Sequence, residues 1–454
     1  MRRIGRERRI TLKPGTAFIL TLLVAAPSIQ TTHAGELAYG VGYYVESSDN
    51  IRRTPTNTVD DVTNSVFAGF TYLENGPVLD AHLTALAEYR DYKYDTYNDG
   101  PLYYADASLL WRIAPQRLSW VLVDRYDQIT RDTSLPDTRD NQVDANVLST
   151  GPDIYVRLGQ VNTLALELRY GKATYGQGYG EADNSSYGGS LRWLYAANSE
   201  MTYSLNYQAS QIYYDDEILN DNYSRQDFFV RAETHQARSR FLLDLGITKI
   251  DREKAGETNG PVARLTWSQQ LTSESSASIL LAGEYLDTGT DLLSTATSTT
   301  PVPGAPPPSN ANGGITTDLY YQKRAELFYG LSGGYLGLNL RAFYRDIDYE
   351  SVPQDRLESG EMLDVTYNTS SALATTIYGR HMDVHYQNVV RDDWENEAGI
   401  RFLYRLNRNV SATLDVWRSW RYSTDPLQEY TDNQVLLALL YSSSPLFAPT
   451  RRTR

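Results

Sequence analysis

The residues most able to do chemistry in this chain are arginines. Arg90, Arg169, Arg192, Arg231, Arg264, Arg324, Arg341, Arg345, Arg401 and Arg405 fall on the polar side of segments whose alternate residues are apolar. Asp80, Glu88, Glu167, Glu233, Asp244, Glu284, Glu326 and Asp415 share that side. A guanidinium offers five donors in a planar fork that matches a carboxylate. A row of them suits an anionic, carboxylate-bearing chain sliding past, and the candidate residues are Arg169, Arg192, Arg264, Arg341, Arg345, Arg401 and Arg405. The same mixture of signs also describes a lattice of ion pairs that fixes the shape of a wall. Both readings stand.

Other chemistry finds little support. Four histidines lie beyond residue 34, and only His381, Asp383 and His385 share one strand face. At i, i+2 and i+4 along a strand the two imidazoles stand ~13 Å apart, too far for one metal ion. There is no Gly-x-Ser-x-Gly, no phosphate-binding Gly-x-x-x-x-Gly-Lys-Ser/Thr and no His-Glu-x-x-His. No enzyme activity, metal or cofactor is expected.

Positioning such a row requires long strands with one polar face. Met201, Tyr203, Leu205, Tyr207 and Ala209 alternate with Thr202, Ser204, Asn206, Gln208 and Ser210. The same period of two recurs at Leu164–Tyr170, Leu336–Tyr344 and Val410–Val416. Tight turns at 74–77, 114–117, 197–200, 272–275 and 407–409 separate these strands. They alternate with polar loops near 47–64, 94–101, 132–142, 175–184, 215–223, 252–259, 288–316, 351–360 and 423–432. Short turns at one end and long loops at the other are the asymmetry of an outer-membrane barrel. The expected fold is an all-β, transmembrane, antiparallel up-and-down β-barrel of about 20 strands, with 16 to 20 tenable. Residues 361–388 are the weakest stretch, with a hairpin placed around 369–373, and neither face of 118–126 is cleanly apolar. Trp111, Trp193, Trp267, Trp394 and Trp420 sit near strand ends and suit interfacial girdles.

The chain begins with Arg2, Arg3, Arg6, Arg8, Arg9 and Lys13, then an apolar run from Ala17 to Ala26, then Thr32-His33-Ala34. Residues 1–34 therefore read as a secretory signal peptide, 35–442 as the barrel and 443–454 as a periplasmic tail. Losing six bases and one acid takes the net charge from −14 to −19. Such acidity argues against a nucleic-acid partner. An exported chain without cysteine must be held by closed hydrogen bonding or a core rather than by disulfides. The longest loop, 288–316, is rich in Thr, Ser and Pro and reads as a flexible, exposed extracellular segment.

Trp111-x-x-x-Pro115-x-Arg117-Leu118-x-Trp120 is followed by Asp140-Asn141-Gln142, Asn146, Gly151-Pro152-Asp153 and Arg157-Leu158-Gly159. Leu406-Asn-Arg-Asn-Val410 and Tyr430-Thr-Asp-Asn433 continue that rhythm near the end. The chain resembles the outer-membrane β-barrel porins encoded with exopolysaccharide operons, including those of the exosortase (PEP-CTERM) system. The resemblance covers most of residues 35–454 and implies export of a surface polysaccharide across the Gram-negative outer membrane, with no catalytic residues to carry over. Expected partners are outer-membrane lipid and lipopolysaccharide, the barrel-assembly machinery, and a polysaccharide with its periplasmic export proteins. A small-solute diffusion porin and a closed structural or adhesive barrel remain as alternatives. One departure from the usual pattern is the end of the chain, where Tyr441 or Phe447 stands in for a terminal aromatic assembly signal.

Overall fold

A computed structural model of the chain describes residues 35–176, 178–290, 315–445 and 447. Residues 1–34, expected to be a signal peptide, most of the 288–316 loop and most of the segment expected as a tail lie outside the described residues.

Twenty strands follow one another along the described residues. The first ten are β1 (Glu36–Ser48), β2 (Asp61–Asn75), β3 (Leu79–Tyr92), β4 (Gly100–Ala114), β5 (Leu118–Thr130), β6 (Gln142–Arg157), β7 (Asn162–Tyr175), β8 (Asn184–Ala196), β9 (Met201–Tyr214) and β10 (Tyr223–His235). The second ten are β11 (Ser239–Arg252), β12 (Gly256–Gln270), β13 (Ser275–Leu286), β14 (Tyr320–Ser332), β15 (Leu336–Tyr349), β16 (Arg356–Asn368), β17 (Leu373–Tyr386), β18 (Arg391–Arg405), β19 (Val410–Ser423) and β20 (Tyr430–Ser442). Each pairs antiparallel with its neighbour in sequence, and β1 pairs with β20 from Gly40↔Ser442 to Ser48↔Gln434. The sheet is closed. Closure satisfies every strand edge internally, which is what a lipid environment demands.

The two rims differ. Connections of three or four residues join β2 to β3, β4 to β5 and so on to β18–β19, while the opposite rim carries longer segments such as 49–60, 93–99 and 131–141. By the outer-membrane rule the long-loop rim faces outward. The hairpin at 369–372 and strand β5 are present where the sequence pattern was weakest. Several loop bounds differ from expectation: 47–64 contracts to 49–60, 252–259 to 253–255, 351–360 to 350–355 and 423–432 to 424–429, and a further loop lies at 387–390. Strands rise beyond the apolar band there, so lipid-patterned alternation stops before the ladder does.

Leu37, Tyr39, Val41 and Tyr43 of β1 stand exposed on the outer surface, as do Leu205, Val230, Leu245, Leu281, Leu327 and Leu340 around the barrel. No soluble sandwich leaves so continuous an apolar belt in water. Trp111, Trp193 and Trp394 also face outward. Trp417 is the exception, buried on the inner wall against Tyr378 and Leu436.

At the short-turn rim the chain end folds inward. Tyr441 lies on the outer face beside Tyr39, with ring centroids 6.5 Å apart. Phe447 instead is buried, and its ring stands where a Cβ on Gly40 or Gly69 would be, 2.4 and 3.1 Å away. Only glycine leaves room for it. Ser442 Oγ donates to the Phe447 carbonyl at 2.9 Å and fixes the fold-back.

Candidate functional site: the inner wall and the outer mouth

Ladder register decides which side chains face inward, because directly paired residues share a face. Arg401 opposes Asp415 across β18–β19, Arg264 opposes Asp244 across β11–β12, and Arg231 opposes Asp244 across β10–β11. All seven candidate arginines lie on this inner face. Six of them are ion-paired there.

Arg169 meets Asp153 at 2.7 Å and Arg192 meets Glu167 at 2.5 Å. Arg264 bridges Glu284 at 2.5 Å and Asp244 at 3.5 Å, and Asp244 also accepts both Nε and Nη2 of Arg231. Glu326 gathers Arg341 at 2.7 Å, Arg324 at 3.8 Å and Arg345 at 3.9 Å, and Arg345 continues to Glu358 at 3.3 Å. Arg401 holds Asp415 at 2.8 Å. Arg405, near the short-turn rim, is exposed and donates to the Ser371 carbonyl at 3.2 Å.

Exposure separates these groups. The side chains of Arg169, Arg192, Arg264 and Arg401 are between 25% and 32% exposed, whereas Arg341 and Arg345 are 9% and 6% exposed. The first four still present N–H groups to the lumen. The last two are enclosed by their carboxylates and act in the wall. A buried pair of this kind fixes geometry more than it stabilises, since desolvation offsets much of the attraction. Of the acids placed on this face, Glu88 accepts from Tyr44, Ser65 and Arg90, and Asp80 lies 3.6 Å from Arg112.

Several inner-wall arginines were not among the candidates. Arg125, Arg225, Arg356 and Arg391 each pair with the acid two residues on: Asp127, Asp227, Glu358 and Asp393. Residues i and i+2 on a strand share a face, so Arg-x-Asp/Glu is a readable signal of a same-face pair. Arg380 and Arg421 join Glu397 and Glu395 across neighbouring strands.

Loops bridge the outer mouth. The carbonyl of Ser134, in the β5–β6 loop, accepts from Arg391 Nη2 at 2.6 Å and from Arg421 Nη1 at 3.4 Å, on β18 and β19. Asn141 stiffens that loop from within, donating to the Asp132 carbonyl at 2.7 Å and accepting from the Asp132 amide at 3.0 Å. On the other side, Ile315 N donates to the Arg131 carbonyl at 3.4 Å, and Ile315 packs on the apolar cluster of Ile129, Val143 and Tyr175. Tyr223 and Thr290 donate to Asp287, and Tyr214 donates to the Thr317 carbonyl. The described ends of the 288–316 loop are therefore tied to the strands at the mouth. Composition could not show this, because the contacts that hold those ends come from strands far away in sequence.

Charge at the mouth is set by burial and pairing. Burial opposes the charge on Arg53, in the β1–β2 loop, but Tyr430 and Asp432 beside it hold the guanidinium above its ordinary value. Burial, with Asp140 nearby, pushes the Tyr97 hydroxyl up to about 12. Tyr97 donates to the Ile51 carbonyl at 3.1 Å and ties two loops together.

His381 and Asp383 face outward from the barrel rather than into it. His381 Nδ1 is 2.8 Å from Asn396 Oδ1, and His385 bonds Asp392.

No curated protein matches this chain. Similar solved structures include the siderophore receptor PirA from Pseudomonas aeruginosa, at 9% identity and TM-score 0.43, covering 91% of this chain and 81% of that one. The FrpB iron transporter from Neisseria meningitidis, at 11% identity and TM-score 0.42, covers 90% and 82%. The siderophore receptor PiuA from Acinetobacter baumannii, at 9% identity and TM-score 0.43, covers 91% and 82%. Residues 357–442, nearly all of β16 to β20, match the family described as "Putative beta-barrel porin 2", a match consistent with the outer-membrane β-barrel porin family.

Proposed function

We propose that this outer-membrane porin exports an anionic surface exopolysaccharide through its lumen, without chemistry on the cargo. The observation that carries the reading is the partial exposure of Arg169, Arg192, Arg264 and Arg401 on the inner wall. Arg169, Arg192 and Arg401 are each oriented by one carboxylate and Arg264 by two, and all four stay partly exposed, so a uronate can bind and leave without dismantling the wall. A barrel of 20 strands is wider than the 16- to 18-stranded porins that already leave an aqueous channel. The resemblance to porins of exopolysaccharide operons supports the same cargo. In this reading its partners are the polymer, periplasmic export proteins that deliver it, the machinery that inserts the barrel, and the lipopolysaccharide around it.

Single-channel recording in a planar bilayer tests the proposal. Current is expected to be anion-selective despite the net charge of −19 that the chain carries once residues 1–34 are removed. Acids in solvated loops are screened beyond ~8 Å at physiological salt, whereas lumen charges act on the permeating ion at close range. Arg192→Gln with Arg401→Gln should reduce that selectivity and slow release of a uronate polymer from cells. A cation-selective unmodified channel overturns the reading.

A second reading, a diffusion porin for small solutes, is favoured by the Ser134–Arg391 bridge across the mouth. Liposome-swelling rates separate the two, because a fixed constriction excludes long oligosaccharides while passing monosaccharides.

A further inference from the structure

Most charged side chains on the outer face of this barrel have an ion-pair or hydrogen-bond partner within the chain. Lys172 pairs with Asp215, Lys249 with Glu257, Lys323 with Asp346, and His381 with Asp383. Asp124 accepts from Asn146 at 2.8 Å.

Glu361 and Arg418 break this pattern in one sector. Glu361 pairs in register with His381 and with Ala342, both outward, and Arg418 pairs with Ala398 and Asn433 between outward Val416 and Trp420. Both are exposed. Among the described residues neither makes an ion pair or a hydrogen bond, and Arg418 has only the Trp420 ring beneath it, 5.9 Å away. They do not meet each other. The register line from Arg418 runs through Ala398 and Gly379 to Leu363, the outward neighbour of Glu361 on β16. Three interstrand steps of about 4.8 Å put them ~14 Å apart across the sheet.

Their heights are close. The register line from Trp420, three residues below the long-loop end of β19, reaches Ile279, four residues above the short-turn end of β13. Lines of pairing thus descend from β19 towards β13, as strand tilt requires. Leu363 lies lower than Arg418 for that reason, and Glu361, two residues nearer the long-loop rim, regains part of the difference. A concave surface of about 410 Å³ adjoins Arg418, its outward lining including Ser47, Ala398, Val416, Asn433 and Val435.

We propose that the β16–β19 outer face is where a second copy of this chain docks, with Glu361 of each copy meeting Arg418 of the other. A two-fold axis along the membrane normal brings left and right halves of the same patch together, which is the isologous geometry of cyclic dimers. Opposite charges at similar height on the two halves are what such an axis pairs. Exposed to lipid, each charge is a cost, and paired across an interface each is satisfied. This sector stands out because it alone carries unpartnered charges of both signs among the described residues; Asp251 on β11 is also exposed without an ion pair or hydrogen bond, but no unpartnered base lies on its strand or the two beside it.

Sedimentation of the full chain, purified from outer membranes in dodecyl maltoside, tests it. The unmodified protein should sediment as a dimer, Arg418→Glu should associate roughly tenfold or more weakly, and Arg418→Glu with Glu361→Arg should recover. Glu361→Cys with Arg418→Cys supplies a second measurement in intact membranes. Its cysteines are too far apart to join within one chain, since a disulfide needs Cα atoms within about 7 Å. Oxidation should therefore yield a covalent dimer on a non-reducing gel. A monomeric unmodified protein, unchanged association in Arg418→Glu, or no covalent dimer from folded double-cysteine protein each overturns the proposal. So does a monomer that retains lipopolysaccharide through Arg418, which would assign the charge to a lipid phosphate.

Discussion

Arg401 lies across from Asp415 with Nε and Nη2 at 2.9 and 2.8 Å from the same carboxylate oxygen, while the Tyr378 hydroxyl donates to the other at 2.9 Å. The acid is 1% exposed and the base 32% exposed. The carboxylate is thus the anchored member and the guanidinium the one that meets the lumen. Arg401→Gln removes the charge that compensates a buried carboxylate, so stability should fall by ~1–3 kcal/mol, less than for a fully enclosed pair because water reaches the vacated position. Arg405→Gln breaks only an exposed bond to a carbonyl and should stay within ~0.5 kcal/mol. Urea unfolding midpoints of the two variants in lipid vesicles check this. Equal losses would show that Asp415 is not held by Arg401.

The two faces of β15 give a sharper comparison. Leu338 opposes Val365 and Leu331 on the outer side, and Asn339 opposes Asp364 and Gly330 on the inner side. Leu338→Arg, two residues from the short-turn end of β15, should weaken folding into liposomes by up to ~1 kcal/mol, as a charge placed towards lipid does near the interface. Asn339→Arg places the same group beside Asp364 in a polar wall and should be tolerated. Folding yield against vesicle concentration measures both, and indistinguishable yields would contradict the register.

Much of this barrel is legible in sequence because lipid imposes one rule on every strand. In β9, Met201, Tyr203, Leu205 and Tyr207 point out and Ser204, Asn206 and Gln208 point in, as simple alternation requires. The 361–388 stretch was faint because its outward residues include Glu361, Gly379 and His381, which dilute the apolar face. Arg356 was hidden for a different reason. It lies above the apolar band, where the ladder continues without lipid to pattern it, and 351–360 reads as loop. The mouth was not legible at all. Ser134 and Arg391 meet over a separation of 257 residues, and no local pattern encodes that contact. Pairing of the candidate arginines is intermediate: periodicity gives their face, but only register gives their partners.

The bridge across the mouth leads to a final expectation. Arg391 is held by Asp393 and reaches Ser134 with the same Nη2 that donates to that acid. Arg391→Ala removes the stronger of the two contacts to the β5–β6 loop, leaving the Arg421 contact at 3.4 Å, near the limit of a hydrogen bond. Asn141→Ala acts on the same loop from inside, removing the side chain that binds the backbone of Asp132 twice. A mobile loop obstructs the mouth for a smaller fraction of time. Single-channel conductance should therefore rise in Arg391→Ala, with brief closures between levels, and rise further when Asn141→Ala is added. Ion selectivity should be unchanged, because Arg169, Arg192, Arg264 and Arg401 keep their own carboxylates. Conductance equal to that of the unmodified protein in both variants would place the narrowest point elsewhere. Altered selectivity would instead make the mouth, rather than the arginines of the wall, the filter.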